Sequence, residues 1–336
     1  MNSFGRIFKI NIFGESHGES VGLNLDGVPA GLSLSVEDFM VDIERRKGGL
    51  QKGTTPRQET DLPIFKSGLF NGKTTGAPLT ILFENNNTRS DDYGKQRDIP
   101  RPGHADFVAN KKFGGNEDYR GGGHFSGRLT VALVAAGVIA KRLLKTTSDG
   151  EGIDVKASIL EIGGEADLEK GLQKAIDAKD SIGGIVECKV IGLPVGLGEP
   201  FFDSVESLIG HAVFAIPAVR GIEFGTGFPA AKMRGVEHND AITDESGKTK
   251  TNHAGGVTGG ITNGNELVFR IAVKPTSSTP KEQQTLNWRT NEIENFSVKG
   301  RHDLCIALRV PVVLEAVTAI VLTDLMLLEQ KIKRVL

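Results

Sequence analysis

The sequence predicts an α+β fold in which antiparallel sheets cover buried helices, and three observations carry that prediction. Arg128–Lys145 is apolar around nearly its whole circumference, the mark of a helix sandwiched between other elements. A second long apolar helix, Pro311–Lys333, closes the chain. The segments that read as strands do not alternate with helices one for one, as a parallel βαβ array would require. No repeat of fixed period and no obvious linker divides the 336 residues, so a single domain over residues 1–336 is expected.

Taken in order, Phe4–Phe13 alternates apolar and polar residues, Ile7 excepted, and reads as a strand that delivers the loop GESHG at Gly14–Gly18. Val21–Asp26 is a second strand, closed by the turn residues Gly27, Pro29 and Gly31. Ser35 followed by Asp38 is a capping-box arrangement, so Val36–Lys47 is predicted to be a helix. Arg45, Arg46 and Lys47 fall at its C-terminus, where the macrodipole favours cations. Lys52–Asp61 is a polar loop. Asn71-Gly72 between the apolar runs Ile64–Phe70 and Ala77–Phe83 reads as a hairpin turn, and the glycine spacing there excludes a P-loop. Asp154–Ile162 and Gly184–Ile191 read as strands flanking a helix near Ala166–Ala178, with a further helix at Ser204–Phe214. Glycine recurs through Gly221–Thr262, Glu266–Val273 alternates as a strand, and Pro280–Val298 reads as a charged, amide-rich linker. Pro311 stands where a helix start suits proline.

Lys and Arg number 40 against 42 Asp and Glu, a net charge of −2, so nothing global recommends nucleic acid or an anionic membrane as a partner. Any basic site must be local. Glycine, at 43 residues, far exceeds the usual ~7% of a chain, while proline is only 13, which points to tight turns and close backbone approaches and away from disorder. Cys188 and Cys305 are far apart and have no CxxC spacing, which argues against a disulfide framework or a thiolate zinc site and fits a reducing cytoplasm. Lys9, Glu15 and His17 interrupt the N-terminus where a signal peptide needs its apolar core. The longest uncharged apolar run, Leu129–Ala140, is far short of the ~20 residues of a membrane span. A soluble chain is expected, and without HExxH or paired-cysteine spacing, no metal.

The chemistry concentrates in Arg101–Lys145. The triplet Gly121, Gly122 and Gly123 is flanked by Arg120, His124, Ser126 and Arg128 just before a predicted helix. Glycines let the backbone approach a ligand and first-turn amides lack intrahelical partners, so the segment reads as an anion site; a glycine turn capped by Ser126 is the plainer alternative. Four loops combine histidine with glycine: GESHG, RPGHAD, RGGGHFSGR and GRHD. In them, His17, His104 and His302 have pKa values near ~6.5 if unperturbed, suited to general acid–base work; His211, His238 and His253 are read as structural. Lys274, Thr276, Ser277 and Ser278 at a strand end can cradle a phosphate. Arg45, Arg46, Arg120, Arg128 and Arg301 are candidates for a bidentate grip on carboxylate or phosphate. These residues imply an enzyme for small polyanionic ligands and leave its reaction open.

The motifs GESHG, RRKGG, TTPRQETD, SGLFNGKTTG, RPGHAD, DYRGGG, GEPFFDS, IPAVRGIEFG, TNHAGGVTGGI, KPTSS and GRHD, in this order, resemble those of the chorismate synthase family over nearly the whole chain. The resemblance implies a single-domain β-α-β sandwich with a central helix layer between antiparallel sheets, assembled as a homotetramer. It implies a lyase of the shikimate pathway, in aromatic amino acid biosynthesis, that converts 5-enolpyruvylshikimate 3-phosphate to chorismate and phosphate by 1,4-elimination with reduced FMN. His17 and His104 are implied as the catalytic histidines and Asp303 as the aspartate that assists removal of the ring proton. FMN is implied at Ser16, His124, Phe125, Ser126, Ala218, Gly259, Lys274, Pro275, Thr276, Ser277, Ser278 and Arg301, with Ser16 and Ser126 also supporting proton transfer. Arg46 and Lys52 are implied for NADPH as a source of electrons, and Arg45, Arg46 and Arg128 are expected to hold the anionic substrate. Where the family reads RGGGRSSARET, this chain reads RGGGHFSGRLT, with His124 in place of arginine, Phe125 of serine, Gly127 of alanine and Leu129 of glutamate. Leu304 likewise stands where proline follows the aspartate.

Overall fold

Helices that are apolar on every side must be covered, and covering them decides the architecture. In the computed structural model, which describes residues 1–49, 52–57, 59–87, 97–146, 152–298, 302–333 and 335, the N-terminal part supplies β1 (Ser3–Phe4), β2 (Lys9–Gly14), β3 (Ser20–Asp26), α1 (Glu37–Arg46), β4 (Ile64–Ser67), the small hairpin β5 (Leu69–Phe70) and β6 (Lys73–Thr74), and β7 (Leu79–Glu84). The middle supplies α2 (Asp106–Phe113), α3 (Thr130–Lys145), β8 (Asp154–Ile162), α4 (Leu168–Ala178), β9 (Gly184–Ile191), α5 (Val205–Val213) and β10 (Val219–Phe224). The remainder supplies α6 (Gly235–His238), β11 (Val257–Thr258), β12 (Ile261–Thr262), β13 (Leu267–Val273), β14 (Gln283–Asn287), β15 (Glu292–Phe296) and α7 (Val310–Leu328).

Two antiparallel sheets, ordered β1-β2-β3-β7-β4 and β10-β13-β9-β8, enclose the helices. α3 packs on β2 and β3, α7 packs on β8 and β9, and the two helices pack on each other. They meet where Gly137 faces Ala316: a Cβ on Gly137 would fall 2.3 Å from that of Ala316, so only glycine permits this spacing. Each Leu, Ile or Val that this core removes from water contributes roughly 1.5–3 kcal/mol, and α7 is buried without a gap from Val312 to Leu327. Ile306–Leu328 is long and apolar enough to cross a membrane by length and composition, with mean hydropathy 2.0, yet 94% of that window is buried inside the fold.

Several sequence expectations are corrected. Phe4–Phe13 is two strands, because Gly5 turns the chain at φ +92° and Phe4 comes to pair with Ile10. Asp324 of α7 fixes that turn by accepting the backbone N–H groups of Arg6, Ile7 and Phe8 at 2.9, 2.8 and 2.8 Å. Pro280–Val298 is not a linker: it contains the β14–β15 hairpin, whose polar side chains conceal its pairing. α2 and β10 are elements that the sequence does not announce.

Candidate active site

Loops from the whole length of the chain meet around a cavity of about 820 Å³. Its wall carries Arg46, Lys47, Arg57, Arg101, Arg128, Arg220, Lys274 and Arg309 against only Glu59, Asp61 and Asp303, together with His17, His104, His124 and His302. A nearly neutral chain has thus gathered a strongly cationic pocket, which favours anionic ligands.

The glycine triplet brings the histidines together. Gly121 and Gly122 have φ of +59° and +83°, and a Cβ on Gly121 would lie 2.6 Å from His17 Nε2, while one on Gly122 would lie 3.4 Å from His104 Nε2. Both rings therefore rest against bare backbone. The triplet does not lead straight into α3: a 3-10 turn, Gly127–Leu129, intervenes, and Ser126 Oγ caps that turn by accepting the Arg128 N–H at 3.3 Å.

His104 Nδ1 lies 2.6 Å from Asp106 Oδ1. A carboxylate at that distance needs a proton on Nδ1, which leaves Nε2 as the basic nitrogen. Burial works to raise the Asp106 carboxyl, but hydrogen bonds from Arg101 and His104 outweigh it and hold the group well below the usual carboxylate range. Burial, then the charges of Arg57 and Arg120, push the His17 imidazole below its ordinary value. Asp303 accepts the Thr55 N–H at 2.8 Å and Arg309 Nη1 at 3.0 Å. Beside it His302 is pushed down to about 4, by burial first and then by Arg101.

The family profile of chorismate synthase matches residues 8–327. A chorismate synthase of Chitinophaga pinensis is 73% identical over 335 residues, covering 100% of this chain and 99% of its own length. One of Methanocaldococcus jannaschii is 41% identical over 365 residues, covering 97% of this chain and 96% of its own. The chain belongs to the chorismate synthase family. A crystal structure titled as that of chorismate synthase shares the fold, with a TM-score of 0.73 at 24% identity over 97% of this chain and 93% of that one. The α+β architecture is therefore that of the family, and membership assigns the chain to chorismate formation in the shikimate pathway.

Of the residues that the family resemblance implies, the cavity wall brings together His17, His104, Asp303, His124, Phe125, Ser126, Ala218, Lys274, Pro275, Thr276, Ser277, Ser278, Arg46 and Arg128. Ser16 sits fully buried beside His17, its Oγ accepting Arg57 Nη1 at 3.2 Å. His124, in place of the family arginine, is engaged through both ring nitrogens, 2.8 Å from the Gly14 carbonyl and 3.1 Å from Asn2 Oδ1. Arg45 is a correction: it does not border this cavity, because it is held bidentately by Glu315 at 2.7 Å on another face. Lys52 is exposed and bonded to Gln173 at 3.1 Å, and Gly259 lies in the β11–β12 turn, so neither borders the cavity. Arg120 pairs with Asp118 at 2.8 Å outside the wall. Arg301 lies outside the described residues.

Arg57, Arg101 and Arg309 are cavity residues that the sequence reading passed over. Each has an acid nearby in sequence, Glu59, Asp106 and Asp303, with which it indeed pairs at 2.6, 2.7 and 3.0 Å. That spacing signals an ion pair in sequence; what it does not signal is that the pair stands at a ligand site.

Proposed function

We propose that the chain converts 5-enolpyruvylshikimate 3-phosphate to chorismate by 1,4-elimination of phosphate, with reduced FMN bound in the same cavity. The observation that carries this is the meeting of His17, His104 and Asp303, from three distant loops, on one cation-rich wall. A substrate with two carboxylates and a phosphate needs several guanidinium groups, and the wall supplies them. His104, its Nδ1 proton held by Asp106, turns Nε2 towards the departing phosphate and donates a proton from it in the imidazolium form, whose charge the Asp106 carboxylate balances. His17, kept neutral near pH 7 by burial, holds a second exchangeable proton. Asp303 is the carboxylate that assists removal of the ring proton.

The residues present suit FMN. Thr276 Oγ1 is buried with no hydrogen-bond partner among the described residues, and Lys274 Nζ stands 2.7 Å from Ser277 Oγ in the same loop, donors that a phosphate group would satisfy. Reduced FMN, when bound, supplies an electron-rich ring beside the substrate. Arg46 lies buried on the wall and Lys52 exposed outside it, and reduced flavin is proposed to come from an outside source of electrons, with NADPH as one such source. A cytoplasmic homotetramer belongs to the same proposal: Cys188 and Cys305 are free buried thiols, suited to a reducing compartment, and Phe201, Phe202 and Phe228 are 86%, 93% and 81% exposed, apolar surface that a subunit contact would cover.

Anaerobic turnover with reduced FMN tests the reaction. Chorismate and phosphate should appear in equal amounts with no stoichiometric use of NADPH. Consumption of one NADPH per product would instead make the chain an oxidoreductase, and absence of chorismate would refute the proposal.

A further inference from the structure

Two of the cavity's cations converge on Asp61. Its carboxylate is 1% exposed; Oδ2 accepts Arg46 Nη2 at 2.6 Å and Oδ1 accepts Arg128 Nη1. Asp61 reaches this position with φ +51°, a left-handed conformation that costs a residue with a side chain about 1 kcal/mol, so its surroundings hold it there. Burial works to raise the Asp61 carboxyl, yet Arg46 and Arg128 keep it below the usual range.

One carboxylate does not neutralise two guanidinium groups, and a third, Arg309, stands close enough for its Nε to donate to the Arg46 carbonyl at 2.7 Å. Arg128 is tied on further sides, by Asn85 Oδ1 at 2.9 Å and the Glu84 carbonyl at 3.1 Å. Arg46 is not so tied. Among the described residues, its side chain has beyond Asp61 only a long contact of 3.4 Å with Thr130 Oγ1, and its Nε is buried with no acceptor. A buried N–H left unpaired costs about 1–3 kcal/mol, and more on a charged group. Arg46 is 97% buried by area, being 3% exposed, and it borders the cavity. A donor in that state is waiting for an acceptor that arrives from the cavity.

We propose that Asp61 is a positioning residue for the substrate: it holds Arg46 and Arg128 in one frame so that their remaining donors bind an oxyanion, whose charge completes the cluster. This rests on the polyanionic substrate proposed above. The oxyanion is the phosphate or a carboxylate of that substrate, and the effective anion in the binding test below tells which.

Asp61→Asn keeps the shape and removes the charge. Assayed anaerobically with saturating reduced FMN, the variant should show a KM for 5-enolpyruvylshikimate 3-phosphate raised at least tenfold, with kcat changed less than threefold; a merely structural aspartate would lower the folded fraction and leave KM alone. In an Arg46→Met background, the same change should raise KM less than twofold further, because Asn85 and the Glu84 carbonyl still hold Arg128 and the effect of Asp61 on the substrate runs mainly through Arg46. An unchanged KM in Asp61→Asn, or fully additive effects in the double variant, would overturn the proposal. If Asp61→Asn does not fold, Arg46→Lys, which keeps the charge and loses the Nε donor, should give the tenfold KM rise, and a wild-type KM would count against the clamp. Thermal unfolding with FMN present reads the same clamp without turnover. Inorganic phosphate or malonate should raise the melting temperature of the unaltered protein by a few degrees, and Asp61→Asn or, in its place, Arg46→Lys should lose that rise. A wild-type protein that makes no chorismate while this anion effect holds refutes the reaction and leaves the clamp standing; no anion effect in wild type refutes the clamp.

Discussion

Arg45 and Arg46 are consecutive on α1, and the turn of about 100° between neighbouring helix positions sends them to two charge clusters of opposite character. Arg45 joins Lys141, Asp42 and Glu315. Glu315 accepts both Arg45 nitrogens at 2.7 Å, Lys141 Nζ at 2.6 Å and the Ala157 N–H at 3.1 Å, and Asp42 accepts Arg45 at 3.0 Å and Lys141 at 2.8 Å. Two cations meet two carboxylates, and Glu315, though burial works to raise it, is held below its ordinary pKa by Arg45 and Lys141. Arg46 joins Arg128 around the single carboxylate of Asp61 and keeps an N–H without an acceptor. Burial pulls Arg46 down to about 10, against the opposing pull of Asp61. A saturated cluster stores its energy in the fold; an unsaturated one reserves part of it for a ligand.

The largest effect should come from breaking the saturated cluster. Glu315→Gln leaves Arg45 and Lys141 without their shared counter-charge, and loss of one member of a largely buried pair costs about 3 kcal/mol. A melting temperature lower by roughly 4 °C is expected, with KM for the substrate unchanged in the folded protein. A raised KM at full stability would mean that this cluster, too, serves the site. Next in size, Arg46→Met should raise KM roughly 100-fold, about 2.7 kcal/mol, whereas Arg45→Met should leave KM within twofold and lower stability. Equal KM effects in the two variants, measured by steady-state kinetics, would erase the distinction between them.

How much of this was legible in the sequence depends on where the information lies. α3 and α7 are readable because every side of them is apolar, and β9 and β13 because their residues suit a covered strand. α2 is not, since its eight residues mix Phe and Val with Lys, Asn and Asp and half-expose the apolar ones, and β10 carries Gly221 in its middle. His17, His104 and His302 stand out because each sits in a loop within a residue or two of glycine and an acid or serine, whereas Asp303 is marked only by the resemblance to chorismate synthases. The direction in which each arginine points is different: Arg45 and Arg46 have the same chemistry and the same helix, and only the packing of α1 against α3 and α7 separates them. The glycine triplet shows the other kind of miss. Its conformational freedom is visible in the sequence, but what it makes room for, two imidazole rings, is fixed by loops more than a hundred residues apart at their extremes.

Acid should separate the two regions as well, and here the expected effect is the smallest. His302 sits on the unsaturated side: it borders the cavity and makes no hydrogen bond among the described residues. Its imidazole takes a proton near pH ~6.5 when the chain is unfolded but only near pH 4 in the fold. Between those values the unfolded state binds more protons, so stability is highest above pH ~6.5 and falls as the pH drops towards 4. The loss should reach about 2 kcal/mol by pH ~4.5, read from denaturant midpoints, and His302→Gln should flatten the slope across that window. Glu315 behaves in the opposite range: its depressed pKa contributes stability that is complete above the ordinary glutamate value and is lost only as the pH falls below it. In Glu315→Gln the slope between pH ~6.5 and ~4.5 should therefore survive while the steeper loss at lower pH disappears. A slope in the upper window that follows Glu315 and ignores His302 would place the acid-sensitive charge in the saturated cluster and reverse the assignment of the two regions.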